Sequence, residues 1–258
     1  MLRLIPNTSS VDYIPRPPLI YLDTCAYIEL EKKPRLLECF RRQLAVNGTI
    51  LFSLFNIQQL GQGDSDSRKK LIPVWDAIGE NWAPMQSNIE RVIHDEQNMV
   101  PRAWYDGHLY NGLFPITPKR LTLHHGFKLF CKRRWREDLN KHFTECQLPM
   151  KQLLDRMHDD WQNDSERFKK NLRANAKKLK SRTERALNRI LETYYASGSK
   201  VKKDDPVDIM HVFIPVASAG YVVLDGAWAD RVRQALKGEM AKVIPIKEFS
   251  RFVSEGWH

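Results

Sequence analysis

A chain of 258 residues is long enough to bury a sizeable core, and 42% hydrophobic against 28% charged residues is the balance of an ordinary soluble protein. No apolar run approaches the ~20 residues of a membrane helix, since the longest, Val212 to Leu224, is short and carries Pro215. The four cysteines make no CxxC pair and Met1 to Pro6 lack a secretory apolar core, so the expectation is a cytoplasmic protein with reduced thiols and no membrane partner.

The net charge of +10 is unevenly spread: residues 118–203 hold 23 of the 41 Lys and Arg but only 10 of the 31 Asp and Glu. The remainder is slightly acidic. A basic internal segment points to a polyanionic partner or to a solvated helical face.

Residues 1–18, with prolines 6, 15, 17 and 18, read as an irregular arm. Leu19 to Leu22 is an unbroken apolar run, the pattern of a parallel strand covered on both faces. Asp23 closes it, and Asp23 or Thr24 caps a helix containing Tyr27, Ile28 and Leu30. Pro34 opens a second helix that ends at Asn47-Gly48, a pair suited to a left-handed cap. Thr49 to Ser53 is a second buried strand, and Ser53 caps a helix carrying Asn56, Gln58, Gln59 and Leu60.

From Asp64 to Leu121 the pattern loosens. Leu71, Val74, Trp75 and Ile78 share a helical face, and Ser87-x-x-Glu90 has the form of a capping box. Trp104, Tyr105, Tyr110 and Phe114 fall in a loop, either to stack on bases or to anchor the loop to the body. Residues 150–196 contain no Gly or Pro and carry an apolar stripe from Leu153 to Tyr194, which predicts one long helix or two in line. Lys169, Lys170, Arg173, Lys177, Lys178, Lys180, Arg182 and Arg185 crowd its middle and are the candidate nucleic-acid-binding residues. Asp205-Pro206-Val207-Asp208 reads as a helix start capped by Asp205, with Ile209, Val212 and Phe213 on its core face. Tyr221 to Leu224 is a third buried strand ending at Asp225-Gly226, followed by a helix over 227–236. Lys242 to Ile246 predicts an edge strand because of Pro245, and 248–253 a closing helix.

Asp23 and Asp225 each close an apolar strand, and Asp208 begins the helix that feeds the Asp225 strand. In a parallel sheet all three reach one edge, where ligands bind beyond the carboxyl ends of the strands. Each acid also has a plain role as a helix cap. Together they suit a hard cation, Mg²⁺ or Mn²⁺, and phosphodiester hydrolysis. His211, one turn after Asp208, either touches phosphate or packs. His124, His125, Cys131, His142 and Cys146 are zinc-type donors whose spacing matches no compact zinc motif.

Tyr21-Leu22-Asp23-Thr24-x-x-x-Ile28-x-Leu30 resembles the opening motif of PIN-domain nucleases, the fold shared by VapC-type toxins and structure-specific nucleases. Asp208-Ile209-Met210-His211 followed by Tyr221-Val222-Val223-Leu224-Asp225 is similar to that family's third and fourth acidic positions. The resemblance spans about residues 19–63 and 204–250. It implies an α/β fold, a PIN-like parallel sheet sandwiched by helices, with core 1–63 and 204–258 and a mostly helical basic insertion 64–203. It further implies a Mg²⁺- or Mn²⁺-dependent nuclease, acting on RNA in preference to DNA, with Asp23 and Asp208 holding the metal. Asp225 would support that metal or a second one, and Thr24 would orient Asp23. Where the family carries its second acid, usually Glu, this chain has Gln59, a neutral amide whose carbonyl can still face a metal. A catalytically degenerate module that binds nucleic acid or protein is the alternative. A toxin or defence role, an antitoxin-like or regulatory partner and a homo-oligomer are its further implications.

Overall fold

The computed structural model describes residues 2–4, 11–13, 15–61, 63–106, 122–131, 133–176, 178–196 and 205–257. Two short strands, β1 (Leu2–Leu4) and β2 (Val11–Tyr13), pair antiparallel, so part of the arm expected to be irregular is a small ribbon. The chain then enters β3 (Leu19–Leu22), α1 (Thr24–Lys32), α2 (Pro34–Val46), β4 (Thr49–Ser53) and α3 (Leu54–Gly61). Between α2 and β4, Asn47 is extended and Gly48 takes φ +104, where a side chain would also meet Trp257 Nε1 at 3.0 Å. The left-handed position thus belongs to the glycine alone.

Next come α4 (Ser65–Lys70), α5 (Ile72–Ile78), β5 (Trp82–Met85) and α6 (Ile89–Gln97). The cap of α6 is Asn88, whose side chain accepts from the Arg91 amide at 3.0 Å, one residue later than the Ser87 box predicts. Trp104 is buried and its carbonyl accepts from the Gln86 amide, while Tyr105 bridges to Met85, so these two aromatics anchor their loop. Tyr110 and Phe114 lie outside the described residues.

The basic segment is three helices rather than one or two in line. After α7 (Leu123–Phe130) come α8 (Arg133–Asn163), α9 (Ser165–Ala176) and α10 (Arg182–Ala196). The breaks have local causes. Asp164 accepts from the Arg167 amide at 2.9 Å and starts α9. Ser181 and Glu184 form a reciprocal capping box, Glu184 N to Ser181 Oγ at 3.1 Å and Ser181 N to Glu184 Oε2 at 3.1 Å. α10 folds back on α9, with Phe168 against Tyr195 at 5.2 Å between ring centres and Arg173 paired to Glu192 at 3.0 Å.

The chain closes with α11 (Asp205–Ser218), β6 (Tyr221–Leu224), α12 (Gly226–Leu236), β7 (Lys242–Pro245) and α13 (Ile246–Glu255). Asp205 is the first helical residue of α11.

Five strands form one all-parallel sheet in the order β5-β4-β3-β6-β7, so the fold is α/β. All of β4 and β5 and most of β3, β6 and β7 are buried, as expected when helices cover both faces. One helical layer joins α1, α2, α5 and α13, and another joins α6, α10, α11 and α12. Because β5 belongs to the sheet and α10 packs on α11 and α12, residues 64–203 supply both a strand and a covering helix to the core. The insertion expected there is therefore not set apart from the core. Its boundary is blurred because β5 is four residues long and carries Pro84, tolerated at a sheet edge.

Chain order makes β3 the central strand, with β4 on one side and β6, some 200 residues later, on the other. The direction of winding reverses there, which makes the carboxyl ends of β3 and β6 the switch point of the sheet.

Candidate functional site

At that switch point Asp23 directly follows β3 and Asp225 directly follows β6. The Asp23 amide donates to Val223 O at 3.0 Å, locking the end of β3 to β6. Asp23 caps α1, accepting from the Thr24 amide at 2.7 Å, and Asp225 caps α12, accepting from the Trp228 amide at 2.9 Å. Capping and convergence are thus not rival explanations for these acids, because each does both.

Asp23 is ringed by protein, and this desolvation raises its pKa above the ordinary carboxylate value. The nearby Asp225 carboxylate pushes it further up, while backbone N–H groups of Thr24 and Asp225 pull it down. Cys25 Sγ donates to Asp23 Oδ2 at 3.6 Å, and burial together with the two acids raises the thiol pKa. None of these partners is a cation.

Asp208, in the first turn of α11, reaches the same edge by another route. Its Oδ2 accepts from the indole Nε1 of Trp228 at 2.9 Å. One residue therefore holds two of the acids, its backbone amide on Asp225 and its ring on Asp208. The ring of Trp228 is buried and lies parallel to Tyr194 of α10, 6.4 Å between centres and 1° between planes.

On the other flank, the Thr24 hydroxyl donates to Gln59 Oε1, so α3 is tied to the start of α1. Buried Asn56 fastens the same helix more deeply, donating to Leu22 O at 3.1 Å and accepting from Ser53 N and Oγ at 3.0 Å. His211 is buried beneath the site, with Nδ1 3.4 Å from Tyr21 Oη and Phe55 4.4 Å away between ring centres. Among the described residues its Nε2 has no hydrogen-bond partner, and desolvation lowers its pKa to about 3. It is a packed neutral histidine, not one directed at a ligand.

The structure therefore joins Asp23, Asp225, Thr24 and Gln59 into one connected patch and adds Asp208 through Trp228. It does not draw three of these side chains into a ready-made cage: among the described residues no group of three or more His, Cys, Asp or Glu is gathered as a metal site. The donor set still fits a hard divalent ion. Mg²⁺ is typically held by one or two carboxylates with water and substrate phosphate filling the rest, and a carboxylate desolvated beside a second one lacks the counter-charge that such an ion supplies. Of the zinc-type donors, His124 Nδ1 is bound to Asp76 at 2.7 Å, and the side chains of His142 and Cys146 lie outside the described residues.

The basic candidates divide into two sets. Lys169 pairs with Glu166 at 2.9 Å and lies over Trp161, Arg173 pairs with Glu192, and Arg185 donates to Leu179 O and Lys180 O. These three serve the helical hairpin itself. Lys170, Lys178, Lys180 and Arg182 are exposed, and no ion pair among the described residues involves them. Lys177 lies outside the described residues.

The roles of Trp228, of Asn56 and of the Ser181 box are functional features that the expectations from sequence do not contain. Only the last left a readable signal, Ser-x-x-Glu. No described helix is long and apolar enough to cross a membrane. No protein-family model, curated protein or solved structure matches the chain.

Proposed function

We propose that the chain is a metal-dependent, PIN-like nuclease, an endoribonuclease in preference to a deoxyribonuclease, that hydrolyses phosphodiester bonds with Mg²⁺ or Mn²⁺. The observation that carries this reading is the Asp23–Asp225 pair. Two acids from strands distant in sequence meet at the switch point, and the one that is ringed by protein has no cationic partner among the described residues. Burying like charges together is costly unless something compensates them. Asp23 and Asp225 would hold a divalent ion, with Asp208 contributing to the same site. When bound, such an ion lowers the pKa of a water and stabilises charge on the phosphate. The chain's own residues fix the geometry: the Thr24–Gln59 bond sets the entry of α1, and the Trp228 indole sets the orientation of Asp208. Lys170, Lys178, Lys180 and Arg182 attract the nucleic-acid backbone without reading sequence. A toxin or defence role, with an antitoxin-like partner or self-association for control, belongs to the same resemblance.

The test is cleavage of labelled RNA and of single- and double-stranded DNA with Mn²⁺ or Mg²⁺, comparing wild type with Asp23→Asn. The amide keeps an acceptor for the Thr24 amide but removes the charge, so metal-dependent cleavage is expected to fall by at least ~100-fold. Equal cleavage by both proteins refutes the assignment.

One observation favours a second reading, a module that binds nucleic acid without cutting it. Gln59 brings no charge, and its carbonyl already accepts from Thr24. RNA binding that is independent of Mn²⁺, with no cleavage under any metal, selects that reading.

A further inference from the structure

We infer that Arg231 is the phosphate-contacting residue of the acidic edge, recognising the phosphodiester of a bound nucleic acid; this rests on the nuclease reading. Arg231 lies on α12 one turn beyond Trp228, the residue that holds Asp208 and Asp225. Its guanidinium carbon sits 5.2 Å from the Trp228 ring centre and 5.6 Å from that of Tyr194, on the platform formed by these parallel rings. The side chain is half-buried, yet no ion pair among the described residues includes it. Neighbouring arginines behave differently: Arg189 pairs with Glu239 at 2.6 Å, and Arg233 pairs with Glu248 at 2.9 Å while bonding Val243 O.

An arginine held by aromatic faces is positioned through its π surface, which leaves its in-plane N–H groups for another acceptor. Five donors in a planar fork match two oxygens of a phosphate. Asp208 and Arg231 attach to the same indole, one through the ring N–H and the other through the ring face. The edge therefore carries acids suited to a cation, and beside them a cation that none of the described acids neutralises. A phosphodiester bridging a metal and a guanidinium satisfies both halves. Tyr194 comes from α10, so the basic helical segment helps to build the platform.

The experiment measures binding of a short fluorescein-labelled single-stranded RNA in Ca²⁺, over a range of salt, for wild type, Arg231→Met and Arg231→Lys. Mn²⁺ affinity by calorimetry and the thermal midpoint are read in parallel. Arg231→Met keeps an apolar stem on the rings and is expected to bind RNA ~10-fold more weakly, with the salt slope reduced by about 0.7. Arg231→Lys is expected to restore the slope but not the full affinity, since a point charge lacks the fork. Mn²⁺ affinity and midpoint should not move. An Arg231→Met protein with wild-type affinity and slope overturns the inference. So does one whose Mn²⁺ affinity falls with its RNA affinity, because Arg231 would then only prop Trp228 and Asp208. Wild type that binds neither RNA nor Mn²⁺ removes the nuclease reading and this inference with it. Wild type that binds both, beside an unaltered Arg231→Met, removes the inference alone.

Discussion

Glu96, on α6, ties the basic helical segment to the rest of the fold, and replacing it gives a magnitude that can be worked from the structure. Its carboxylate accepts from the Ser181 hydroxyl, from the Thr183 amide at 2.8 Å and from the Thr183 hydroxyl at 2.9 Å. Ser181 and Thr183 are almost fully buried, so Glu96→Ala strands three donors where little water reaches. Hydrogen bonds to a charged group contribute about 1.5–3 kcal/mol each when fully enclosed, and about 1 kcal/mol net in an ordinary site. Glu96 itself is only half-buried, so water entering the gap recovers part of the loss, and we expect about 3 kcal/mol for Glu96→Ala. Glu96→Gln keeps one carbonyl for the Thr183 amide and should cost about 1 kcal/mol. Urea unfolding of the three proteins, read as midpoint shifts at constant slope, measures both numbers. A cost below about 1 kcal/mol for alanine, or equal costs for alanine and glutamine, would mean that the three bonds do not hold this junction.

Protonation of His211 should make stability fall with acid. With its folded pKa near 3 and an unfolded value near 6.5, the unfolded chain binds the extra proton between these limits. Stability is therefore full above about pH 6.5 and declines below it, by up to about 1.4 kcal/mol per pH unit. The raised pKa of Asp23 acts in the opposite sense as its own carboxylate titrates, so the comparison is between wild type and His211→Asn. The variant should lose this slope in denaturant titrations at pH 7 and pH 5, and parallel curves would refute it. Reversing Lys178 and Lys180 to Glu should weaken RNA binding and lower the salt slope by at least about 1.4, two phosphate contacts' worth on a single strand. Unchanged binding reassigns that face to solvation or to a protein partner. Trp228→Phe removes the indole donor from Asp208 but keeps a ring against Tyr194. It should weaken Mn²⁺ binding by ~10-fold while lowering stability by no more than about 1 kcal/mol, measured by calorimetry and urea unfolding. Unaltered Mn²⁺ affinity would show that Asp208 needs no such support.

Four of the five strands of the sheet are legible as residues alone, because β3, β4, β6 and β7 are apolar runs bounded by Asp, Asn, Gly or Pro. β5 is not, since Trp82-Ala83-Pro84-Met85 has neither alternation nor β-branched residues, and its proline usually argues against a strand. The breaks between α8, α9 and α10 are present in the sequence as caps at Asp164 and Ser181, but the want of Gly and Pro there mimics a continuous helix. At the site, Asp23 and Asp225 announce themselves as acids closing buried strands. The role of Trp228 does not, for its indole meets Asp208 only because α11 and α12 both pack on α10. The same limit applies to the basic residues: Arg173 and Lys178 look alike in the chain, and only the approach of Glu192 from α10 separates them.

The central place of β3 has a consequence for a ribosome-bound chain. Ile20 pairs with Tyr221, and synthesis at about 5–20 residues per second needs roughly 10–40 s to go from one to the other. During that interval one margin of the half-made sheet, the apolar Ile20-Tyr21-Leu22 backbone, stays open and sticky, a natural client for a chaperone. Asp23 waits equally long for Asp225. A polypeptide still emerging beside messenger RNA would thus carry no completed acid pair until Asp225 itself has been made.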